Sequence, residues 1–341
     1  MSSARPRVLL LGEPPLYQTE QWEEFQRNFD VVADTSRTRD EFVEALRANK
    51  FGDFAAILKP AVESGNTPSP WNTELVSLLP SSVRLFAAGG AGYDYADVPA
   101  LKARGIQFTN SRGAGDTATS DLALFLILAT FRLTSLAEWA ARTGDPETFD
   151  RVHNEITKLG VNPRGKILGC VGLGAIQKEV ARKAGKAGLG MKIKYYDVMR
   201  ASAEVEERLG AEFVGDLLEL AGQADCISLS VPYMKSTHHL VDASFLAAMR
   251  PGTRIVNTAR GAVIDEKALI SALQSGHLIS AGLDVHYNEP KVAPELIAMR
   301  NVTLTAHIGG VARETYYEFE RISMTNIDNL LRLNEALLTP V

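Results

Sequence analysis

Short apolar runs alternate with stretches of helical spacing along this chain, and no other feature restricts its fold as strongly. Residues 8–11, 31–33 and 55–58 look like buried strands, and between them residues 22–28 and 39–48 repeat their apolar positions with a helical period. Residues 86–87 and 106–109 continue the series. Strands that alternate with helices pair in parallel, because each helix carries the chain back along the sheet, so the pattern predicts a doubly wound α/β layer. A second series opens at residues 166–171 and runs through 192–196, 226–231, 254–257, 279–283 and 302–305. Two sheets predict two domains. A length of 341 residues, more than one hydrophobic core usually supports, predicts the same. Long helices are expected at residues 117–132 and 315–333, where the chain would pass between the domains. Residues 63–70, polar and rich in Gly, Pro and Ser, read as a loop, and no internal repeat is found.

A formal charge of −5 and a pI near 5.8 leave no basic patch, which argues against nucleic acid or an anionic membrane surface as partner. The longest apolar stretch, residues 122–131, is too short to span a bilayer, and residues 1–12 hold only a brief apolar run after their arginines. A soluble, cytoplasmic protein is expected. Cys170 and Cys226 both lie in strand-like runs, where buried, reduced thiols are expected rather than a disulfide or metal ligands. The six histidines show no metal-ligand spacing, and the adjacent His238 and His239 are poorly placed to share one ion, so no metal is expected.

Gly172-Leu173-Gly174-Ala175-Ile176-Gln177 follows a predicted strand and opens a predicted helix, the context a dinucleotide-binding turn requires. Its first two glycines allow a tight turn and close approach to a pyrophosphate at the helix N-terminus. Gln177 stands where a third glycine usually lets helix and strand pack closely. The next strand ends at Asp197, at the distance from which an acid accepts hydrogen bonds from the adenosine ribose and repels a 2'-phosphate. NAD is therefore expected over NADP, with Arg200 close enough to soften the preference. Without the glycines, Asp197 would read as a loop residue after a strand.

Toward the C-terminal end come Asn257-Thr258-Ala259-Arg260-Gly261, then Ala281-Gly282-Leu283-Asp284-Val285 with Glu289-Pro290, then Thr305-Ala306-His307-Ile308-Gly309-Gly310. An arginine, a carboxylate and a histidine in fixed order are what reduction of a 2-keto acid needs: a cation for the substrate carboxylate, a proton donor for the carbonyl oxygen, and an anion that keeps the donor protonated. Taken singly, Arg260 reads as a surface arginine, Glu289 as a loop acid before a proline and His307 as a buried, hydrogen-bonded histidine. Together with their flanking strings they resemble the D-isomer-specific 2-hydroxyacid dehydrogenase family. The likeness runs over almost the whole chain.

The resemblance implies a Rossmann cofactor domain over residues 116–311 and a flavodoxin-like substrate domain over 1–115 and 312–341, with a cleft between them. It implies that Arg260 binds the substrate carboxylate and polarises the keto oxygen, that His307 exchanges the proton and that Glu289 hydrogen-bonds His307. Asp284 would hold the nicotinamide carboxamide. Val231, Pro232 and Thr237 would lie beside the adenosine and nicotinamide halves, and Thr258, Ala259, Gly309 and Gly310 would complete the cofactor site. Gly89-Gly90-Ala91-Gly92-Tyr93-Asp94 is by itself an ordinary glycine-rich turn. At the carboxyl end of a strand, facing the cofactor domain, Gly90, Ala91 and Gly92 would cup the substrate carboxylate with bare amides. A homodimer built on residues 133–142 is also implied, and Tyr17, Lys59, Tyr317 and the partner's Trp139 are candidates for the pocket wall.

Gln177, residues 162–165 and residues 231–235 are similar to fungal D-mandelate dehydrogenases, which implies large substrates. Residues 261–265 are also similar to fungal glyoxylate and hydroxypyruvate reductases, which implies small ones. The C-terminal-binding transcriptional corepressors share this fold and keep the same three residues, so an NAD-sensing binding protein is the alternative of another class. The chain ends shortly after its last predicted helix, without the long tail of those proteins.

Overall fold

The computed structural model describes residues 5–60 and 69–341. All but the last two residues of the predicted loop at 63–70 lie outside that description. The described residues form two compact units, one from Met1–Gly115 with Ala312–Val341 and one from Asp116–Val311.

In the first unit, β1 (Arg7–Leu10), β2 (Asp30–Ala33), β3 (Ala56–Lys59), β4 (Leu85–Ala88) and β5 (Gln107–Thr109) make one parallel sheet in the order β2-β1-β3-β4-β5. This is the flavodoxin-like order, whose direction reverses between β1 and β3. Successive side chains of a strand point to opposite faces, and both faces here are covered. Thus Val8, Leu10, Leu58, Leu85 and Ala87 enter one apolar cluster, while Leu9, Ile57 and Phe86 enter the other with Phe42 and Trp71. The helix Arg313–Asp328 packs on β3 and β4, and Val341 N–H donates to Phe108 O at 3.0 Å beside β5.

The second unit has seven parallel strands, β6 (Ile167–Val171), β7 (Lys192–Tyr196), β8 (Ala211–Phe213), β9 (Cys226–Leu229), β10 (Thr253–Asn257), β11 (Leu278–Leu283) and β12 (Val302–Leu304). Their order is β12-β11-β10-β9-β6-β7-β8, the double winding of a Rossmann sheet, and it reverses between β6 and β9. The expected α/β class with two parallel sheets is what forms. The helix Asp116–Arg132 lies over β10 and β11, and its Thr130 carbonyl accepts from Ser280 Oγ at 2.8 Å.

Cys170 and Cys226 are free and buried, and burial pushes both thiols up to about 12. Among the described residues no single helix is long and apolar enough to cross a membrane; Asp116–Arg132 and Thr134–Thr143 reach that length only as a pair bent by 72°. No group of three or more His, Cys, Asp or Glu side chains is gathered where a metal ion could be held, again among the described residues.

Candidate active site

A parallel sheet delivers the residues after each strand to one edge, so sequence-distant groups meet whenever their strands are neighbours. Arg260 follows β10, Asp284 and Glu289 follow β11, and His307 follows β12, three strands side by side in the second unit. His307 Nδ1 lies 2.8 Å from Glu289 Oε2, and Glu289 Oε1 accepts the His286 N–H at 2.8 Å. The carboxylate is thereby fixed by both oxygens.

His307 sits in the left-handed region at φ 53°, a conformation that needs support from its surroundings. Its N–H donates to Asp284 O at 2.7 Å. The Asp284 carboxylate, 1% exposed, accepts from Thr305 Oγ1 at 2.7 Å and from the N–H groups of Ile308 and Gly309, each at 2.8 Å. Three of the roughly four acceptor positions of a carboxylate are so used, which makes Asp284 the scaffold of the histidine turn.

The Arg260 turn is closed by Asn257, whose Oδ1 accepts from Ala259 N–H and whose Nδ2 donates to Arg260 O, both at 2.9 Å. Arg260 is half-buried, and its Nη1 donates to Ala259 O at 2.8 Å. Gly261 touches the backbone of His286 and Tyr287 so closely that any side chain would collide with it. This contact ties the arginine turn to the segment carrying Glu289.

The hydrogen bond that His307 donates to Glu289 raises the His307 pKa above its ordinary value, outweighing burial and the nearby Arg260 cation. Burial lifts the Glu289 carboxyl, but the bonds from His307 and the His286 amide win and hold it below the ordinary range. Each partner favours the charged form of the other. The Glu289 bond favours the protonated ring and orients it through Nδ1, which leaves Nε2 as the atom able to pass a proton onward.

The glycine-rich turn lies between β6 and the helix Ala175–Ala184. Gly172 has φ +83°, and a Cβ there would stand 2.6 Å from Ser230 O, so only glycine fits where β6 meets the end of β9. At Gly174, the N-cap, a Cβ would meet no protein atom within 4 Å, and no side chain caps the helix. The helix therefore begins with uncapped amides beside bare backbone, at Ala175 and the half-buried Ile176.

Gln177 is 1% exposed and does not spoil the packing expected of a third glycine: its Oε1 accepts from Ser228 Oγ on β9 at 3.3 Å. Asp197 follows β7, and its Oδ2 accepts from Leu173 N–H inside the glycine turn at 2.7 Å. Arg200, expected to soften coenzyme preference, pairs with Glu206 through Nε and Nη2, both at 2.9 Å.

Val231 and Pro232 follow β9, where the strand stops at Leu229, two residues earlier than expected. Thr237 Oγ1 closes that loop by donating to Pro232 O at 2.7 Å and accepting from Met234 N–H at 2.9 Å. Thr258 and Ala259 lie in the Arg260 turn, and Gly310 adjoins Gly309 in the histidine turn.

In the first unit Gly90, Ala91 and Gly92 follow β4 at that sheet's carboxyl edge, with Gly90 O accepting from Ser111 N–H and Ala91 O from Asn110 Nδ2, both at 2.8 Å. Of the four suggested wall residues, Lys59 is buried with its ammonium 4.9 Å from the Tyr95 ring, and Trp139 lies 4.8 Å from the Arg300 guanidinium of its own chain. Tyr17 and Tyr317 are 36% and 46% exposed. Asn257, Gly261, His286 and Glu206 escaped the sequence reading. The first two figure there only as flanks of Arg260, with no role attached.

Residues 124–309 match the D-isomer specific 2-hydroxyacid dehydrogenase, NAD binding domain. The chain is 62% identical to the D-mandelate dehydrogenase of Rhodotorula graminis, whose holo crystal structure aligns over 99% of this chain and 97% of that one with a TM-score of 0.96. It is 35% identical to 4-methyl-2-oxopentanoate reductase A of Aspergillus oryzae over 94% of each chain. To glyoxylate reductase 1 of Saccharomyces cerevisiae it is 35% identical over 98% of this chain and 94% of that one. These relatives are dehydrogenases and reductases, which supports the enzyme reading over the corepressor alternative. The chain belongs to the D-isomer-specific 2-hydroxyacid dehydrogenase family, as an oxidoreductase acting on the CH–OH group of 2-hydroxy acids with an NAD(H)-binding domain in its second unit.

Proposed function

We propose that this enzyme reduces bulky 2-keto acids, aromatic or branched, to D-2-hydroxy acids with NADH. The single observation that carries the chemistry is the His307–Glu289 bond at 2.8 Å, formed between the ends of β12 and β11, the latter adjoining β10, which presents Arg260. Arg260 grips the substrate carboxylate through its planar fork and polarises the keto oxygen. His307 delivers the proton from Nε2 to that oxygen while Glu289 stabilises the imidazolium and fixes the ring. The amides of Gly90, Ala91 and Gly92 are assigned to the same carboxylate, on the strength of the family likeness and their place after β4.

The dinucleotide fits the uncapped helix start. The amides at Ala175 and Ile176 would face the pyrophosphate, bare Gly174 would allow close approach, and the unused acceptor positions of Asp197 would take the ribose hydroxyls. NAD(H), when bound, supplies or accepts the hydride at the substrate carbon. Val231, Pro232, Thr237, Thr258, Ala259, Asp284, Gly309 and Gly310 are assigned to the rest of its site. The acid at Asp197 favours NADH over NADPH, which carries a 2'-phosphate.

Likeness to the Rhodotorula and Aspergillus enzymes supports large substrates, and likeness to the yeast glyoxylate reductase supports small ones. Bare glycine at position 310, where a Cβ would meet nothing within 4 Å, favours the larger. Catalytic efficiencies with NADH should therefore fall in the order benzoylformate or 4-methyl-2-oxopentanoate, pyruvate, glyoxylate, with steps of roughly ten- to a few hundredfold per small change in size. Highest efficiency with glyoxylate or hydroxypyruvate would place the enzyme with the small-acid reductases.

We infer a homodimer through the helix Thr134–Thr143 and its neighbours, where Phe125 and Phe149 are 50% and 54% exposed. Light scattering at micromolar concentration tests it. A cytoplasmic location is inferred from two buried, reduced cysteines.

A further inference from the structure

Arginine a few residues beyond the ribose acid is the residue type that accommodates a 2'-phosphate. By charge and position, Arg200 should draw NADPH toward a site whose Asp197 repels it. The structure engages this arginine elsewhere. Its Nε and Nη2 donate in parallel to Glu206 Oε1 and Oε2, both at 2.9 Å, and its guanidinium lies 5.5 Å from the centre of the Phe213 ring.

An ordinary surface ion pair would be too loose to hold an arginine against a phosphate. This one is anchored from below. The Glu206 side chain is only 13% exposed, and its Oε1 accepts a 2.6 Å bond from the hydroxyl of Tyr195, a residue with no exposed surface. The same hydroxyl accepts the Ala201 N–H at 2.9 Å, fixing the turn that follows Asp197. The bonds from Arg200 and Tyr195 push the Glu206 carboxyl down to about 2, so the anion persists at any physiological pH.

We propose that Glu206 is a positioning residue for coenzyme choice: by holding Arg200 in a bidentate pair over Phe213, it keeps the guanidinium from a 2'-phosphate and so excludes NADPH. The proposal rests on Asp197 as the ribose-binding acid. It adds that discrimination needs a second anion, one that acts on the arginine and not on the nucleotide.

The test is calorimetric binding of adenosine 2',5'-bisphosphate and of 5'-AMP to the full-length protein, alongside Michaelis constants for NADPH and NADH. In Glu206→Ala the freed guanidinium should tighten the bisphosphate about tenfold, with 5'-AMP changing by less than about twofold, as loss of one competing charged partner implies. The NADPH Michaelis constant should fall while kcat holds. Arg200→Ala in the Glu206→Ala background should abolish the gain, and raising the salt concentration should shrink it. A turn that had merely loosened would weaken both nucleotides together. Should Glu206→Ala misfold, Glu206→Gln keeps the shape and the Tyr195 contact and should move the bisphosphate in the same direction.

Unchanged bisphosphate affinity in both variants, or a gain that survives Arg200→Ala, overturns the proposal. Asp197→Ala in the same assay separates it from the reading beneath: undiminished 5'-AMP and NADH affinity there removes the ribose assignment, whereas the Glu206 result is scored on the 2'-phosphate alone.

Discussion

A Cβ on Gly261 would stand 2.1 Å from both atoms of the His286 carbonyl and 2.5 Å from Tyr287 N, so the turn presenting Arg260 abuts the segment presenting Glu289 through backbone alone. Arg260 precedes the contact by one residue, and the His286 amide at its other side holds Glu289 Oε1. The spacing between Arg260, the proposed cation for the substrate carboxylate, and Glu289, which bonds His307, is thus set by two main chains, with no flexible side chain in between. Gly261→Ala should force them apart. Overpacking of this kind costs about 1–3 kcal/mol of stability. Misplacement of a reacting group by about 1 Å costs roughly a hundredfold in rate, so kcat/KM for a keto acid should drop by about that factor while NADH affinity stays near that of the wild type. A normal rate would mean that the turn absorbs the methyl group without moving Arg260.

The pH dependence follows from the His307–Glu289 pair. Reduction consumes a proton, so its kcat/KM should be level at low pH and fall as pH rises through the His307 pKa, which Glu289 raises above the ordinary value of about 6.5. Oxidation of the hydroxy acid should rise through the same pKa. Glu289→Gln removes the raising anion, and the falling limb should move to lower pH. Stability runs with the same signs: the His307 contribution is complete below the ordinary histidine pKa and is lost as pH rises through the raised one, whereas that of Glu289 is present above the ordinary carboxyl range and is lost as pH falls through its lowered value. His307→Asn should cut turnover by roughly a hundred- to ten-thousandfold with NADH binding retained. An unmoved limb in Glu289→Gln would show that another group supplies the proton.

Arg260 is testable by charge-conserving change. Lysine keeps the cation but cannot offer two parallel donors, so Arg260→Lys should raise the keto-acid Michaelis constant and lower kcat, by about tenfold in combination. NADH affinity should move far less. Equal effects on both ligands would make the arginine a brace for its own turn, the role that its Nη1 bond to Ala259 O already suggests in miniature.

The strands were legible because both sheets are covered on two faces, which turns each central strand into a short, nearly continuous apolar run. β8, at the sheet edge, has only Ala211, Glu212 and Phe213 and gives no such run. The helix read as residues 315–333 ends its α-helical turns at Asp328, and a π-helical turn follows over Asn329–Leu333, where Asn329 Nδ2 donates to Ala336 O at 2.8 Å. Periodicity does not distinguish the two. At the site, Arg260, Glu289 and His307 stood out through their flanking strings, but the contact of Gly261 with His286 forms only once β10 and β11 lie side by side, and the bonds of Asn257 to Ala259 and Arg260 depend on the local turn geometry. Glu206 was hidden for the same reason: its partners Arg200 and Tyr195 precede it on a turn and a strand whose geometry the spacing does not reveal.

A buried acid in the first unit yields a prediction independent of the coenzyme. Glu320, 3% exposed, accepts from the N–H groups of Leu16, Tyr17 and Gln18, each at 2.8 Å, and so holds the turn that follows β1 against the helix Arg313–Asp328. Tyr17, 5.8 Å from the Tyr316 ring, is carried on that turn. Three amides aimed at one carboxylate have no second acceptor of comparable strength, and each donor left unpaired away from water costs about 1–3 kcal/mol. Leu16 is 60% exposed and Tyr17 36%, so water can reach part of the set, and Glu320→Ala should destabilise the protein by about 3 kcal/mol rather than the full sum. Glu320→Gln, which keeps one oxygen, should cost less, and differential scanning fluorimetry should rank the thermal midpoints wild type, glutamine, alanine. If the turn also walls the substrate pocket, Glu320→Gln should raise the Michaelis constant for benzoylformate more than that for pyruvate, since only the larger acid would reach Tyr17. Proportional changes for the two acids would confine Glu320 to stability and remove Tyr17 from the pocket.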